Sequence, residues 1–92
     1  MIRTFRDARS RHFALGGRNK FSGMDERIAR RRLVQLNAAK TLADLGKLNS
    51  VGLHKLKGDL KSFRSIDVNG PWRLLFEFDK GDAYEVHFHD PH

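Results

Sequence analysis

The chain changes its hydrophobic period once. Between Met24 and Ala39 the apolar residues Met24, Ile28, Leu36 and Ala39 recur at helical spacing, and Ala29 and Leu33 widen the stripe. From Ser62 onward the period drops to two. Ser62 to Val68, Trp72 to Phe78 and Ala83 to His89 have strand composition. Asn69-Gly70 separates the first two runs and predicts a two-residue hairpin, because both residues tolerate positive φ. Lys80-Gly81-Asp82 separates the second pair. Three strands joined by such short connections form an antiparallel meander, and a helical stripe ahead of it must pack on one face. The expected class is therefore α+β, with helices packed on an antiparallel sheet.

The rest of the chain fits around that frame. Ile2 to Phe5 reads as a short first strand. Asp7 to Leu15 has weak helical character and stops at Gly16-Gly17. Ser22 or Asp25 offers an N-cap to the long helix, with Asp25 and Glu26 complementing its dipole. Arg32 falls on the apolar side of that helix, so its stem is expected along the core edge with the guanidinium reaching out to water. Thr41 to Leu48 predicts a further helical turn, and Gly52 to Leu56 an extra strand. At 92 residues the chain is expected to form a single domain over 1–92. Seven Phe and one Trp argue against a disordered basic tail.

Composition narrows the chemistry. There is no Cys, which excludes disulfides, thiolate metal sites and cysteine nucleophiles. No apolar run approaches the roughly 20 residues that cross a bilayer, and the beginning of the chain lacks an apolar signal core, so a cytoplasmic protein without a membrane partner is expected. The net charge is +7, and it is unevenly placed. Residues 1–46 carry the whole excess, whereas 47–92 sum to zero, with a basic stretch over 47–73 and an acidic one over 74–92. A basic face suits a polyanion held through its phosphates. A solvated helix surface that keeps the protein soluble is the other reading.

Strand alternation assigns two faces. Ile66, Val68, Trp72, Leu74, Phe76, Phe78, Tyr84, Val86 and Phe88 form the apolar set that should meet the helix. Arg73, Glu77, Glu85, His87 and His89 then point to the other face, where a site can sit. Arg73 on a rigid central strand can grip a phosphate, or pair with Glu77 or Glu85. His54 and Lys57 stand together in Leu53-His54-Lys55-Leu56-Lys57-Gly58-Asp59, whose end reads as a turn. His87, His89, Asp90 and His92 also admit a metal cluster, but metal ligands usually come from separate rigid elements, and no metal or cofactor is assigned. Imidazoles for proton transfer beside Lys and Arg for charge neutralisation are the equipment of phosphodiester cleavage. RNA brings its own nucleophile, the 2′-hydroxyl, so neither a protein nucleophile nor a metal is required.

Met-Ile-Arg-Thr-Phe at 1–5, Leu53 to Asp59, Val68-Asn69-x-x-Trp72-Arg73, and Gly81-Asp82-Ala83-Tyr84 through Asp90-x-His92 together resemble HigB-type toxins of the RelE/ParE superfamily of type II toxin–antitoxin modules. The resemblance runs the length of the chain. It implies a microbial-ribonuclease-like (RelE-like) fold. It also implies metal-independent, ribosome-dependent cleavage of mRNA in the A site of the 70S ribosome, and neutralisation by a HigA-type helix-turn-helix antitoxin in a heterotetramer. By position, His54, Lys57, Arg73, Asp90 and His92 match the family's catalytic residues. His92 is the leading proton-transfer group, Lys57 and Arg73 bind the scissile phosphate, His54 assists and Asp90 orients a neighbour. Arg3, Arg6, Arg9, Arg11, Arg18, Arg27, Arg30 and Arg31, with Lys55, Lys61 and Arg64, are then the candidate contacts to rRNA or mRNA. Two positions depart from the pattern. Pro91 stands where relatives often have Tyr, and Asn69 where some have Arg, with Lys61 or Arg64 the candidate to replace that phosphate contact. A ParE-like, non-enzymatic gyrase poison and an inactive nucleic-acid-binding module are the competing functions.

Overall fold

The computed structural model describes residues 1–48 and 51–91. Three helices, α1 (Ala8–Ala14), α2 (Glu26–Ala38) and α3 (Leu42–Gly46), precede four strands, β1 (His54–Lys55), β2 (Arg64–Asp67), β3 (Arg73–Asp79) and β4 (Asp82–His89). The strands lie in sequence order in one antiparallel sheet. This is the expected α+β architecture. Among the described residues, no helix is long and apolar enough to cross a membrane.

Each helix begins where its sequence supplies an acceptor. Asp7 caps α1 by accepting from the Ser10 amide, and Asp25 rather than Ser22 caps α2 by accepting from Ile28. Thr41 and Asp44 form a reciprocal capping box on α3. The backbone amides of Lys40 and Thr41 hold the exposed Asp44 carboxyl below its ordinary value.

One core cluster joins the helices to the inner face of the sheet. Phe13 from α1, Ala29, Leu33 and Leu36 from α2, and Leu45 from α3 meet Ile66, Leu74, Phe76, Val86 and Phe88. Phe13 and Phe21 pack against Phe88 with ring centroids 5.5 and 5.4 Å apart. Residues 2–5 do not form a continuous strand. They run parallel to β4 and touch it at two bridges, Ile2 with Ala83 and Phe5 with Val86.

The interruption lies in β4. Glu85 has φ +54°, and the β3–β4 register shifts between Leu75 and Glu77. The Glu85 amide donates to the Thr4 hydroxyl at 2.8 Å instead of to the sheet. A bulge of this kind moves the side chains on one side of it to the opposite face. Ala83, opposite Phe78, is therefore in the core, and Tyr84, opposite Glu77, is not. The expectation that Tyr84 belongs to the apolar face is corrected.

Two further expectations change. The β2–β3 connection is not a two-residue Asn-Gly hairpin. The Trp72 amide donates to the Asn69 carbonyl and the Val68 amide to the Trp72 carbonyl, so Gly70 and Pro71 are the central pair. Arg32 does not reach out to water. It is buried, with Nε donating to the Asp67 carbonyl at 2.6 Å and Nη1 to Gln35 Oε1 at 3.0 Å. Burial, chiefly, lowers its proton affinity, yet a guanidinium remains charged. A strand-end carbonyl gives this cation a dipole to rest on, which the stripe pattern of the helix could not show.

Candidate active site

The outer face of the sheet is built from the residues that alternate with the core. Register places Asp67, Arg73 and His89 side by side across β2, β3 and β4, and His54, Ser65, Leu75 and His87 in the next row. Ser65, Leu75 and His87 are buried. Above this floor lies a cleft of about 300 Å³ lined by His54, Leu56, Leu60, Ser65, Arg73, Leu75, His89 and Pro91. Its apolar walls come from the segment after β1, where Gly58 (φ +66°) opens a single 3-10 turn over Gly58–Leu60. The lysine turn expected at Lys57-Gly58-Asp59 is thus present.

Arg73 is the most constrained charge in the cleft. Its Nε lies 2.9 Å from Asp67 Oδ1, and its Nη1 donates to the Gly70 and Trp72 carbonyls at 2.8 and 3.0 Å. Among the described residues Nη2 has no hydrogen-bond partner, so that edge is the donor presented to an anion. Its partner is Asp67, not Glu77 or Glu85. His54 Nε2 stands 3.7 Å from the same Asp67 oxygen.

The other expected site residues are distributed around this centre. Lys57 is exposed and follows the wall residue Leu56. Asp90 is half-buried and engaged in an interaction, between the lining residues His89 and Pro91. His92 lies outside the described residues. His89, not assigned a role from the sequence, is brought into the cleft directly opposite Arg73. Alternation already put it on this face, and the pairing of β3 with β4 was the signal that pointed to it. Pro91 forms part of the wall in place of an aromatic side chain.

His87 is different. It is buried beneath Phe63, with ring centroids 5.6 Å apart, and its Nδ1 is 2.9 Å from the Glu85 carbonyl. A carbonyl only accepts, so Nδ1 carries the hydrogen. Burial, above all, lowers its pKa, with Arg6 and His89 acting in the same direction and the Glu85 bond and Asp7 opposing. It is held neutral and does not line the cleft. No group of three or more potential metal-ligating His, Asp or Glu side chains forms among the described residues.

The arginines proposed as nucleic-acid contacts divide into two sets. Arg3 pairs with Asp82 at 3.1 Å, and Arg6 lies over Phe63. Arg9 stacks on Phe21 and donates to the Lys20 carbonyl, and Arg30 stacks on Phe13 while bonding the Phe13 and Gly17 carbonyls. These four hold the fold together as well as carrying charge. Arg11, Arg18, Arg27, Arg31, Lys55 and Lys61 are exposed, and Arg64 is half-buried. Asn69 is a clamp. Its Oδ1 accepts from the Asp25 amide at 2.7 Å, and its Nδ2 donates to the Gly23 carbonyl at 2.9 Å.

Helices on one face of a small antiparallel sheet, and a cleft of imidazole and guanidinium groups on the other, define a RelE-like toxin. The family model for the RelE-like toxin of the type II toxin–antitoxin system HigB matches residues 3–92, and the chain belongs to that family. Among curated proteins, the Endoribonuclease HigB of Proteus vulgaris is 42% identical over 60 residues, a match spanning 63% of this chain and 65% of that relative.

Proposed function

We propose that the protein is an endoribonuclease toxin that cuts mRNA in the A site of the 70S ribosome. The observation that carries this reading is the cleft itself, where His54, His89 and an anchored Arg73 meet. In the chain, Lys57 follows the lining residue Leu56, and Asp90 lies between the lining residues His89 and Pro91. Membership in the HigB-like family and the name of the Proteus vulgaris relative support it.

In this reading the RNA 2′-oxygen attacks the adjacent phosphorus and the bond from phosphorus to the 5′-oxygen breaks. The products are a 2′,3′-cyclic phosphate and a 5′-hydroxyl. One imidazole or His92 takes the 2′-hydroxyl proton and another acid returns a proton to the leaving oxygen. Arg73 Nη2 and Lys57 Nζ neutralise the charge that builds on the phosphoryl oxygens. Asp90 orients a neighbouring proton-transfer group. The apolar walls Leu56 and Leu60 and the floor residue Leu75 exclude water from one side of the phosphate and strengthen these charges. No step in this scheme calls on a metal or cofactor.

The exposed arginines of α1 and α2 would meet rRNA by phosphate and shape contacts. Lys55, Lys61 and Arg64 would serve the message. A HigA-type helix-turn-helix antitoxin, in a heterotetramer, would neutralise the toxin in the cytoplasm.

The test is to supply the purified chain to ribosomes programmed with a defined message and to map new mRNA ends. Cleavage at the A-site codon is expected, with no cleavage of the same message without ribosomes. An intact message with the codon seated in the A site would overturn the proposal. Gyrase poisoning without cleavage would favour the ParE-like alternative.

A further inference from the structure

Asp67 has more fixed connections than any role yet given to it requires. Its amide donates to the Val51 carbonyl at 2.6 Å, and its carbonyl accepts from buried Arg32 at 2.6 Å. The backbone is thereby held on both sides. Its Oδ1 is shut off from solvent and accepts no hydrogen bond among the described residues, so it is compensated by charge alone, with Arg73 Nε at 2.9 Å and His54 Nε2 at 3.7 Å. The carboxylate fits there only because residue 52 is glycine. A Cβ at Gly52 would overlap the Asp67 carboxyl group, and Gly52 also has φ +61°.

An acid beside a phosphate-binding arginine is costly for binding an anion, because it repels the phosphate that the arginine attracts. Its presence makes sense if orientation matters more than attraction. With Nε on Asp67 and Nη1 on the turn carbonyls, the guanidinium plane is fixed at two of its three nitrogens. We propose that Asp67, given room by Gly52, is a positioning residue that aims Arg73 Nη2, and with it His54, at the scissile phosphate. This rests on the nuclease reading for its consequence in cleavage, but not for the anchoring itself.

Two measurements on the full chain separate these. The first follows exchange of the Arg73 Nε hydrogen with water by NMR at neutral pH, in the wild type, Asp67→Ala and Asp67→Asn. Asp67→Ala is expected to speed exchange about tenfold or more, and Asp67→Asn, which keeps the shape but not the charge, to fall between it and the wild type. Unchanged exchange in Asp67→Ala would overturn the anchoring. Should Asp67→Ala fail to fold, Asp67→Ser removes the same oxygen reach and gives the same reading.

The second measures cleavage on programmed ribosomes. Asp67→Ala is expected to lower kcat by about 10- to 100-fold, the cost of a misaimed group, while KM stays level or falls because a negative charge has gone. Asp67→Asn, which keeps the shape but not the charge, should recover part of the rate. A rise in KM with kcat unchanged, or a faster enzyme, would overturn the positioning role. A wild type that cuts nothing would sink the nuclease reading and leave the exchange experiment to judge Asp67.

Discussion

The two faces of the sheet are made by the same alternating strands, yet they follow different rules. On the inner face Leu74, Phe76, Val86 and Phe88 are dry and covered by helices. On the outer face Ser65, Leu75 and His87 are equally buried, but Ser65 and Leu75 line a cleft with charged and imidazole side chains, and His87 packs against Phe63. Burial alone therefore does not distinguish a core from a site. The difference is in the cover. Helices bring apolar stripes to the inner face, whereas a short segment with Leu56 and Leu60 covers only part of the outer face and leaves Arg73, His54 and His89 at an opening. The inner face stabilises the fold so that the outer face can hold a constrained cation and a depressed imidazole.

The comparison can be broken from either side. The largest effect is expected from Phe76→Ala, which empties a fully buried ring site and should cost about 3–5 kcal/mol in urea unfolding. Arg73→Ala removes an ion pair and two turn bonds and should cost about 1 kcal/mol of stability, but lower cleavage on ribosomes about 100-fold, or about 2.7 kcal/mol of transition-state stabilisation. Asn69→Ala should act between the two, because it removes the clamp from the β2–β3 turn to the start of α2. A stability loss of about 1–2 kcal/mol is expected, measured by thermal unfolding.

The smallest effect is a pH dependence. Burial keeps His87 neutral in the folded chain, with its pKa below the ordinary value. As pH falls below about 6.5, the unfolded imidazole takes up a proton that the folded one refuses, so stability declines. The decline continues until the pH reaches the lowered folded-state value. His87→Phe should make stability between pH 6.5 and 5 fall less steeply, as read from urea midpoints.

Much of this was legible in the sequence because it depends on local rules. The helical stripe, the Asp caps, the strand runs and the placing of Arg73 on the outer face all follow from period and side-chain type. What was not legible depends on contacts between distant segments. Nothing in Tyr84-Glu85 announces a bulge, since Glu rarely takes φ +54° and only the arrival of Thr4 explains it. Asp67 carries no mark in the sequence of its pairing with Arg73, which the hairpin creates. Arg32 looked solvent-bound until the end of β2 met it. In the cleft, His54 and Arg73 were found from the motif. His89 was seen on the right face but given no part.

Single-turnover cleavage of a message on programmed ribosomes by Arg73→Ala, set against Lys80→Asn, tests most directly whether the outer face carries the chemistry. Lys80 sits in the β3–β4 turn with φ +49°, a conformation that Asn tolerates, so this control removes one positive charge without straining the turn. A rate lowered about 100-fold for Arg73→Ala, with Lys80→Asn cutting like the wild type, is the expected result. Equal rates for the two variants would contradict it.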